Sequence, residues 1–556
     1  MIYLIQYYLF TVIILLILFS LFYTNFSYYI AYNFYIPRTF DWFKLKKKII
    51  FILHPILNFL DKDNVILNKL HLNLIKDFFW KIKIYRFVKN IVEIIYKQKL
   101  IPNMNFSIIS LFILTFFILI LFLSSLISID GSYEWIRFFD NTAYLAKLIL
   151  FCMSIFYLIM VKTQIENDRF FKNEYIFMAA FAILGLIVLL DVHDFFETYL
   201  ALEMYGLSVV TLVGLNYFNR TTLEASFKYF TITALSSAVF LFGFSLLYAS
   251  SGHYDFTDLR LFLFTFLYIK HLSFFFATIA IIFILLGFLI KMGIVPFNFW
   301  LANCYSAFPL ITIFFLLMFP KFIFTVFLIK LCYYVFSIFL NYINLLFLVI
   351  IISSSIINNI LALYQTKFKK ILIYASFSNL SFFLLLFYIN TFYSIVSFFS
   401  FFIIYFFNIF SIFTIYGLVS LSKKTNLPLK ITYFINFFKI NEVFSIIFIS
   451  FLLSLSGLPP FSGFFSKLYF LILLFDQNSF SLGLFLLLVN LFTVYYYLRI
   501  MKLILQTSDK FKYLNIEDKV SSISISIIFL LNCLAFFYFD FLYNFISVSL
   551  IKIIII

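Results

Sequence analysis

Apolar runs long enough to cross a bilayer recur along this chain from Leu4 to Phe545, separated by polar turns. A spanning helix needs about 20 mostly apolar residues, and inside hydrocarbon its backbone polar groups must be satisfied within the structure itself. Two architectures meet that demand, bundled α-helices and closed β-barrels. Barrel strands alternate polar and apolar residues over about ten positions, and these runs do not alternate. The expected class is an all-α polytopic membrane protein. Composition agrees: 65% of the 556 residues are hydrophobic and 12% charged, against about half and a quarter in soluble domains.

About fourteen spans can be drawn, near 3–23, 106–128, 142–162, 174–192, 195–216, 224–250, 272–298, 308–331, 341–363, 371–390, 392–421, 440–470, 478–503 and 522–546. The first lacks a basic leader and a small-residue cleavage site, and is kept as a span. Odd-numbered loops carry the bases, as in Lys367, Lys369 and Lys370, or Lys423, Lys424 and Lys430. Even-numbered loops lean acidic, as in Asp191 and Asp194. This is the positive-inside pattern, and it puts both termini opposite the side of synthesis.

The same pattern explains the net charge of +16 without nucleic acid. Residues 24–105 mix many bases with apolar residues at helical spacing (Leu67, Leu70, Leu74, Phe78). They read as amphipathic helices on the membrane surface or against accessory subunits. The 89 Phe and 39 Tyr fit A+T-rich codons and an organellar genome. The four cysteines share no metal-ligand or disulfide spacing, so no metal site is expected.

Against this background five charges stand out: Glu203, Lys228, Lys291, Lys321 and Lys467, each within or at the edge of a span. An ionisable group at membrane depth costs roughly 2.5–3.5 kcal/mol on insertion scales and marks an ion or proton path by default. Snorkelling to the headgroups is the bland alternative. For Lys228 a helical pair with Glu224 is a further rival. Lys330, near a helix end, is expected to snorkel; His193 to sit at the interface; Glu197 to be a solvated or capping acid.

Glycine and proline are scarce, which makes their places informative. Gly293 and Pro296 interrupt the seventh span just after Lys291, and Gly457, Pro459, Pro460 and Gly463 interrupt the twelfth just before Lys467. Proline breaks a helix by removing a donor and by steric clash. Broken helices at membrane depth line protein or wet cavities and carry ion sites in secondary transporters.

These stretches resemble a known family. Leu200-Ala201-Leu202-Glu203-Met204, Leu223 through Tyr229 with Lys228, and Gly287 through Lys291 leading to Val295-Pro296-Phe297-Asn298-Phe299-Trp300 carry the resemblance. So do Gln365 through Lys370 and Leu455-Ser456-Gly457-Leu458-Pro459-Pro460-Phe461-Ser462-Gly463 through Lys467. Together they resemble the antiporter-like family of respiratory complex I (NADH:ubiquinone oxidoreductase), and within it mitochondrial subunit 2, the relative of bacterial subunit N. A lysine on the broken twelfth helix, where sister subunits usually carry an acid, favours that member.

The resemblance implies two inverted five-helix repeats and a non-redox, proton-translocating subunit that couples quinone reduction to pumping. The relay would be Glu203, Lys228, Lys291, Lys321 and Lys467. The divisions would be 1–23, the first helix; 24–105, a basic matrix-side insertion; 106–192, the second to fourth helices; 193–331 and 332–503, two half-channel regions each with a broken helix; and 504–556, the last helix and tail. No cofactor is expected in this chain, since FMN, iron–sulfur clusters and quinone would belong to other subunits. Partners would be other membrane-arm subunits on both sides and lipids, in the mitochondrial inner membrane. Asn298 and Asn379 stand where the family often has histidine, and Asn303 where an acid is expected; an amide does not titrate near neutrality. A stand-alone cation/proton antiporter and a non-pumping structural subunit remain the alternatives.

Overall fold

The computed structural model describes residues 134–165, 172–215, 220–265, 272–422, 431–506 and 519–555, all within the unit Met104–Ile556. The spans expected at 3–23 and 106–128 and the insertion 24–105 lie outside the described residues. The helices are α1 (Glu134–Ile165), α2 (Lys172–Asp191), α3 (Phe195–Gly214), α4 (Arg220–Ser251), α5 (Phe256–Thr265), α6 (Leu272–Met292), α7 (Asn298–Ala307) and α8 (Leu310–Ile329). They continue as α9 (Leu340–Tyr364), α10 (Phe368–Ile389), α11 (Phe392–Ser422), α12 (Phe437–Ile440), α13 (Glu442–Ser456), α14 (Ser462–Asp476), α15 (Phe480–Leu505), α16 (Lys519–Phe537) and α17 (Phe539–Ile555). Among the described residues, 9 helices are long and apolar enough to cross a membrane, or 10 if the bent last pair is one span.

Two halves repeat. In the first, α2 packs on α3 and α4 packs on both α6 and α7; in the second, α9 packs on α10 and α11 on both α13 and α14. Each half has five such segments if its broken pair counts once, an odd number that suits repeats of inverted topology. The centre is made by α8, α10 and α11, whose apolar windows are 94%, 94% and 89% buried, against 28% for α4 and 39% for α15. A helix apolar all round can be buried all round, and the sequences of α8 and α10 meet that condition apart from the polar groups described below.

The structure corrects three span boundaries. Helix α6 stops at Met292, and Asn298–Ala307, drawn as the end of the seventh span and the loop after it, form α7. The expected loop between the sixth and seventh spans contains α5. The span drawn at 522–546 is two helices meeting at 88° beside Tyr538. Hydropathy sums over a window and does not register such a corner.

Both breaks use one device. Gly293 (φ 72) and Gly457 (φ 79) adopt the left-handed conformation, which a Cβ disfavours. The Gly293 N–H donates to Leu289 O (3.0 Å) and Ile290 O (3.1 Å), and the Ile294 N–H to Leu289 O (3.2 Å). The Gly457 N–H donates to Leu453 O (3.1 Å) and Ser454 O (3.1 Å), and the Leu458 N–H to Leu453 O (3.3 Å). This is the glycine C-cap that satisfies terminal carbonyls. A turn follows in each case, closed by Phe297 N–H to Ile294 O (2.7 Å) and Phe461 N–H to Leu458 O (3.2 Å). The Val295–Pro296 and Pro459–Pro460 bonds inside these turns are both cis.

Beyond the second break, α14 folds closely against α13. The Gly463 N–H donates to Ser454 Oγ (3.2 Å), and a Cβ at Gly463 would strike the Ser454 carbonyl. Gly463→Ala is therefore expected to destabilise the fold by about 1–3 kcal/mol, the usual effect of overpacking, read as a lower melting temperature of the assembled protein. Gly206→Ala, whose Cβ would meet nothing within 4 Å, should leave that temperature unchanged.

Candidate functional site

Helix α10 joins the lysines. Lys321, 2% exposed, donates from Nζ to Ser376 Oγ (2.8 Å), with the ammonium 4.2 Å from the centre of the Phe377 ring. Pro320, one residue earlier inside α8, removes a helical donor at the same level. Lys467, 5% exposed, sits 5.5 Å from the centre of the Phe382 ring. From Ser376 to Phe382 is about 9 Å along a helix. Asn379 lies between them, and the Tyr405 hydroxyl of α11 faces both Asn379 and Ser376. The hydroxyls of Tyr405 and of its neighbour Tyr497 are buried with no hydrogen-bond partner among the described residues.

The second break supplies the acceptors for Lys467. Its Nζ donates to Leu455 O (3.1 Å), Ser456 O (3.2 Å) and Asn490 Oδ1 (2.7 Å). The two carbonyls end α13, where no further helical turn claims them and the helix dipole favours a cation. A Cβ at Gly457 would lie 2.9 Å from Lys467 Cδ, so glycine both turns the chain and admits the lysine stem. Asn490, on α15, also donates to Ser456 O (3.3 Å) and accepts from Thr493 Oγ1 (2.9 Å).

Lys291 is 9% exposed, in the last turn of α6. Its ammonium makes no hydrogen bond or ion pair with a described residue. Glu203, half-buried on α3, is the charge that acts on it electrostatically, yet no ion pair within 4.0 Å forms. Beyond Lys291, a Cβ at Gly293 would lie 3.4 Å from Phe377 Cε1. The ring that holds the Lys321 ammonium thus borders the first break as well. Lys228 is not brought to this row. It is 60% exposed and paired with Glu224 at 2.5 Å, the helical pairing weighed as its rival.

Amides occupy the family's departures. Asn298 is fully buried and donates from Nδ2 to Asn358 Oδ1 (2.5 Å) on α9. Asn303 Oδ1 accepts from Lys370 Nζ (3.2 Å). A buried network also braces the second break. Asn408 Nδ2 donates to Ser454 Oγ (2.8 Å), Asn532 Nδ2 to Asn408 Oδ1 (3.1 Å), and the Ser462 hydroxyl to Asn532 Oδ1. Sequence reasoning passed over Asn408, Asn490 and Asn532; the available signal was a lone amide inside an apolar span.

Three expectations at the acidic face meet the structure here. Lys330 does not snorkel; it is 7% exposed and donates to Val192 O (2.6 Å), because the π-helical turn Lys330–Val335 ends α8 inside the protein. Glu197, exposed, accepts weakly from the His193 N–H (3.5 Å), as a capping acid does. His193 is exposed by area, yet burial by its surroundings and the nearby Lys330 ammonium lower its pKa to about 4, so it is neutral at physiological pH. Nearby, Asp194 and Asp255 face each other across an antiparallel bridge, with Phe256 N–H on His193 O (3.0 Å) and Phe195 N–H on Tyr254 O (3.3 Å).

Burial, then the hydrogen bond and charge of Asp255, then Glu197, raise Asp194 to about 7. A raised carboxyl stabilises the fold fully below its unfolded value and loses that contribution as pH rises through about 7. Hydrogen exchange at Phe195 and Phe256, corrected for its intrinsic rate, should therefore accelerate across that window. Asp194→Asn should abolish the acceleration.

A bundle of apolar spanning helices with two broken segments, and a buried lysine beside each break, is the architecture of an antiporter-like membrane subunit. Residues 192–493 match the family model for the membrane part of the NADH:quinone oxidoreductase/Mrp antiporters, and the chain belongs to that family. It is 25% identical over 375 residues to NADH-quinone oxidoreductase subunit N of Neisseria gonorrhoeae, covering 67% of this chain and 76% of that protein. Subunit N of Pelagibacter ubique is 26% identical over 388 residues, with 67% and 78% covered. The fold matches a chain of respiratory complex I from Thermus thermophilus with a TM-score of 0.60 at 18% identity, covering 79% of this chain and 93% of that one. It matches a chain of the Mrp complex from Dietzia sp. with a TM-score of 0.65 at 14% identity, with 81% and 93% covered.

Proposed function

We propose that this chain is the subunit N (mitochondrial subunit 2) member of a respiratory complex I, and that its buried lysines relay protons across the membrane arm. The observation that carries the relay is the row on α10, with Ser376 and Phe377 at one ammonium and Phe382 at the other. A buried ammonium keeps its charge only while a counter-charge or several acceptors face it. Lys467 has three acceptors, Lys321 a hydroxyl and a ring face, and Lys291 only the remote field of Glu203.

Movement of Glu203 towards Lys291 would hold that lysine charged, and movement away would release the proton towards Lys321. Ser376, Tyr405 and Asn379, with waters between them, would carry it on to Lys467. Asn490 and Thr493 would lead it outward. Lys228 would serve at the periphery, where its pairing with Glu224 could be exchanged against a neighbouring subunit. The redox chemistry belongs to other subunits; this one contributes to an NADH:quinone oxidoreductase without a redox centre of its own. The A+T-rich residue usage supports a mitochondrial genome and inner-membrane location.

The relatives' names favour this reading over a stand-alone antiporter, since the Mrp-like fold fits both. In the intact complex, Lys291→Ala should lower the proton-to-electron ratio while NADH-driven electron transfer continues at a reduced rate. Lys467→Ala should do the same, and Asn490→Leu, which removes one of the three acceptors of the Lys467 ammonium, should lower the ratio in the same direction. An unchanged ratio in assembled Lys291→Ala complex would instead favour a non-pumping structural subunit.

A further inference from the structure

A groove of about 420 Å³ opens where α9 and α15 end, lined by Arg499, Lys502, Thr366, Thr432 and Gln506 over a floor of Ile431 and Leu503. No acid lines it. Arg499 spends one guanidinium N–H on Leu363 O (3.1 Å), and an arginine has five donors. Lys502 is exposed, and its ammonium makes no hydrogen bond or ion pair with a described residue.

Lys502 also ends a stripe. Leu484, Leu488, Leu491, Tyr495 and Leu498 are 58%, 64%, 63%, 64% and 47% exposed. They fall four and three residues apart in alternation, which puts them on one face of α15 with Lys502 next in register. From Leu484 to Leu498 is about 21 Å of helix, more than one leaflet of a hydrocarbon core about 30 Å thick. The groove lies on the face that carries the basic odd-numbered loops, and on that side anionic lipids attract clustered bases.

From this charge and geometry we infer that the groove binds the headgroup phosphate of an anionic phospholipid, whose acyl chains lie along the exposed face of α15. Arg499 and Lys502 contact the phosphate, and Thr366, Thr432 and Gln506 donate to its oxygens or to the glycerol. An apolar stripe alone would equally suit a neighbouring helix. A stripe that ends in two bases and three neutral donors, with no acid among the described lining residues, matches a lipid from end to end. The inference does not depend on the proton relay.

The test uses the whole complex in liposomes of phosphatidylcholine doped with photoreactive phosphatidylglycerol. After illumination, crosslinks should map to the 484–505 face of α15. Unlabelled phosphatidylglycerol should compete them away, while phosphatidylcholine and inorganic phosphate should not. Lys502→Gln, an exposed change that leaves the packing untouched, should weaken competition about five-fold, the expected effect of one basic residue near the surface. Adding Arg499→Gln should weaken it further. Labelling absent because a protein neighbour covers the stripe would overturn the inference, as would labelling unchanged in Lys502→Gln or competed equally by phosphatidylcholine.

Discussion

An ammonium group inside hydrocarbon has to find oxygen, and an unbroken helix has none to spare, because each carbonyl is already bonded one turn on. The rest of this structure follows from how that shortage is met. Interrupting α13 at Gly457 frees the carbonyls of Leu455 and Ser456 for Lys467. Pro320 disturbs α8 beside Lys321, which takes a serine hydroxyl and an aromatic face from α10. Breaks that would be defects in a soluble helix are here the source of solvation.

The two halves repeat the device but not its use. Gly293-Ile294-Val295-Pro296-Phe297 and Gly457-Leu458-Pro459-Pro460-Phe461 share their hydrogen-bond register residue for residue. Lys291, however, precedes its glycine, while Lys467 follows its own and folds back onto the helix end. One ammonium answers to a distant carboxylate and the other to fixed local dipoles. A charge controlled from afar can be switched by moving the distant group, whereas one held by three acceptors is a stable resting place. On the proposed relay, such a difference would give the row of lysines a direction.

Around this row the bracing is neutral. Asn408, Asn532, Ser454 and Ser462 tie α11, α13, α14 and α16 together at the second break. Asn298 and Asn358 tie the start of α7 to α9 near the first. Amides and hydroxyls can be buried at lower energy than charges when they are mutually bonded. They hold the broken segments in place without introducing competing ionic partners for the lysines.

The membrane class, the span order, the two breaks and the buried lysines were legible in the sequence, because hydrocarbon penalises charge and proline penalises helix wherever they fall. Lys228 and Lys330 were harder: a lysine near the end of an apolar run reads the same whether it reaches headgroups, a neighbouring glutamate or a carbonyl on another helix. Asn490 and Asn532 were harder still, since an asparagine in a span costs too little to stand out. The amino-acid sequence by itself determined which groups are too costly to leave in lipid. Only the tertiary structure decided which of them share α10 and what each one faces, because those partners lie up to more than a hundred residues away along the chain and meet through packing.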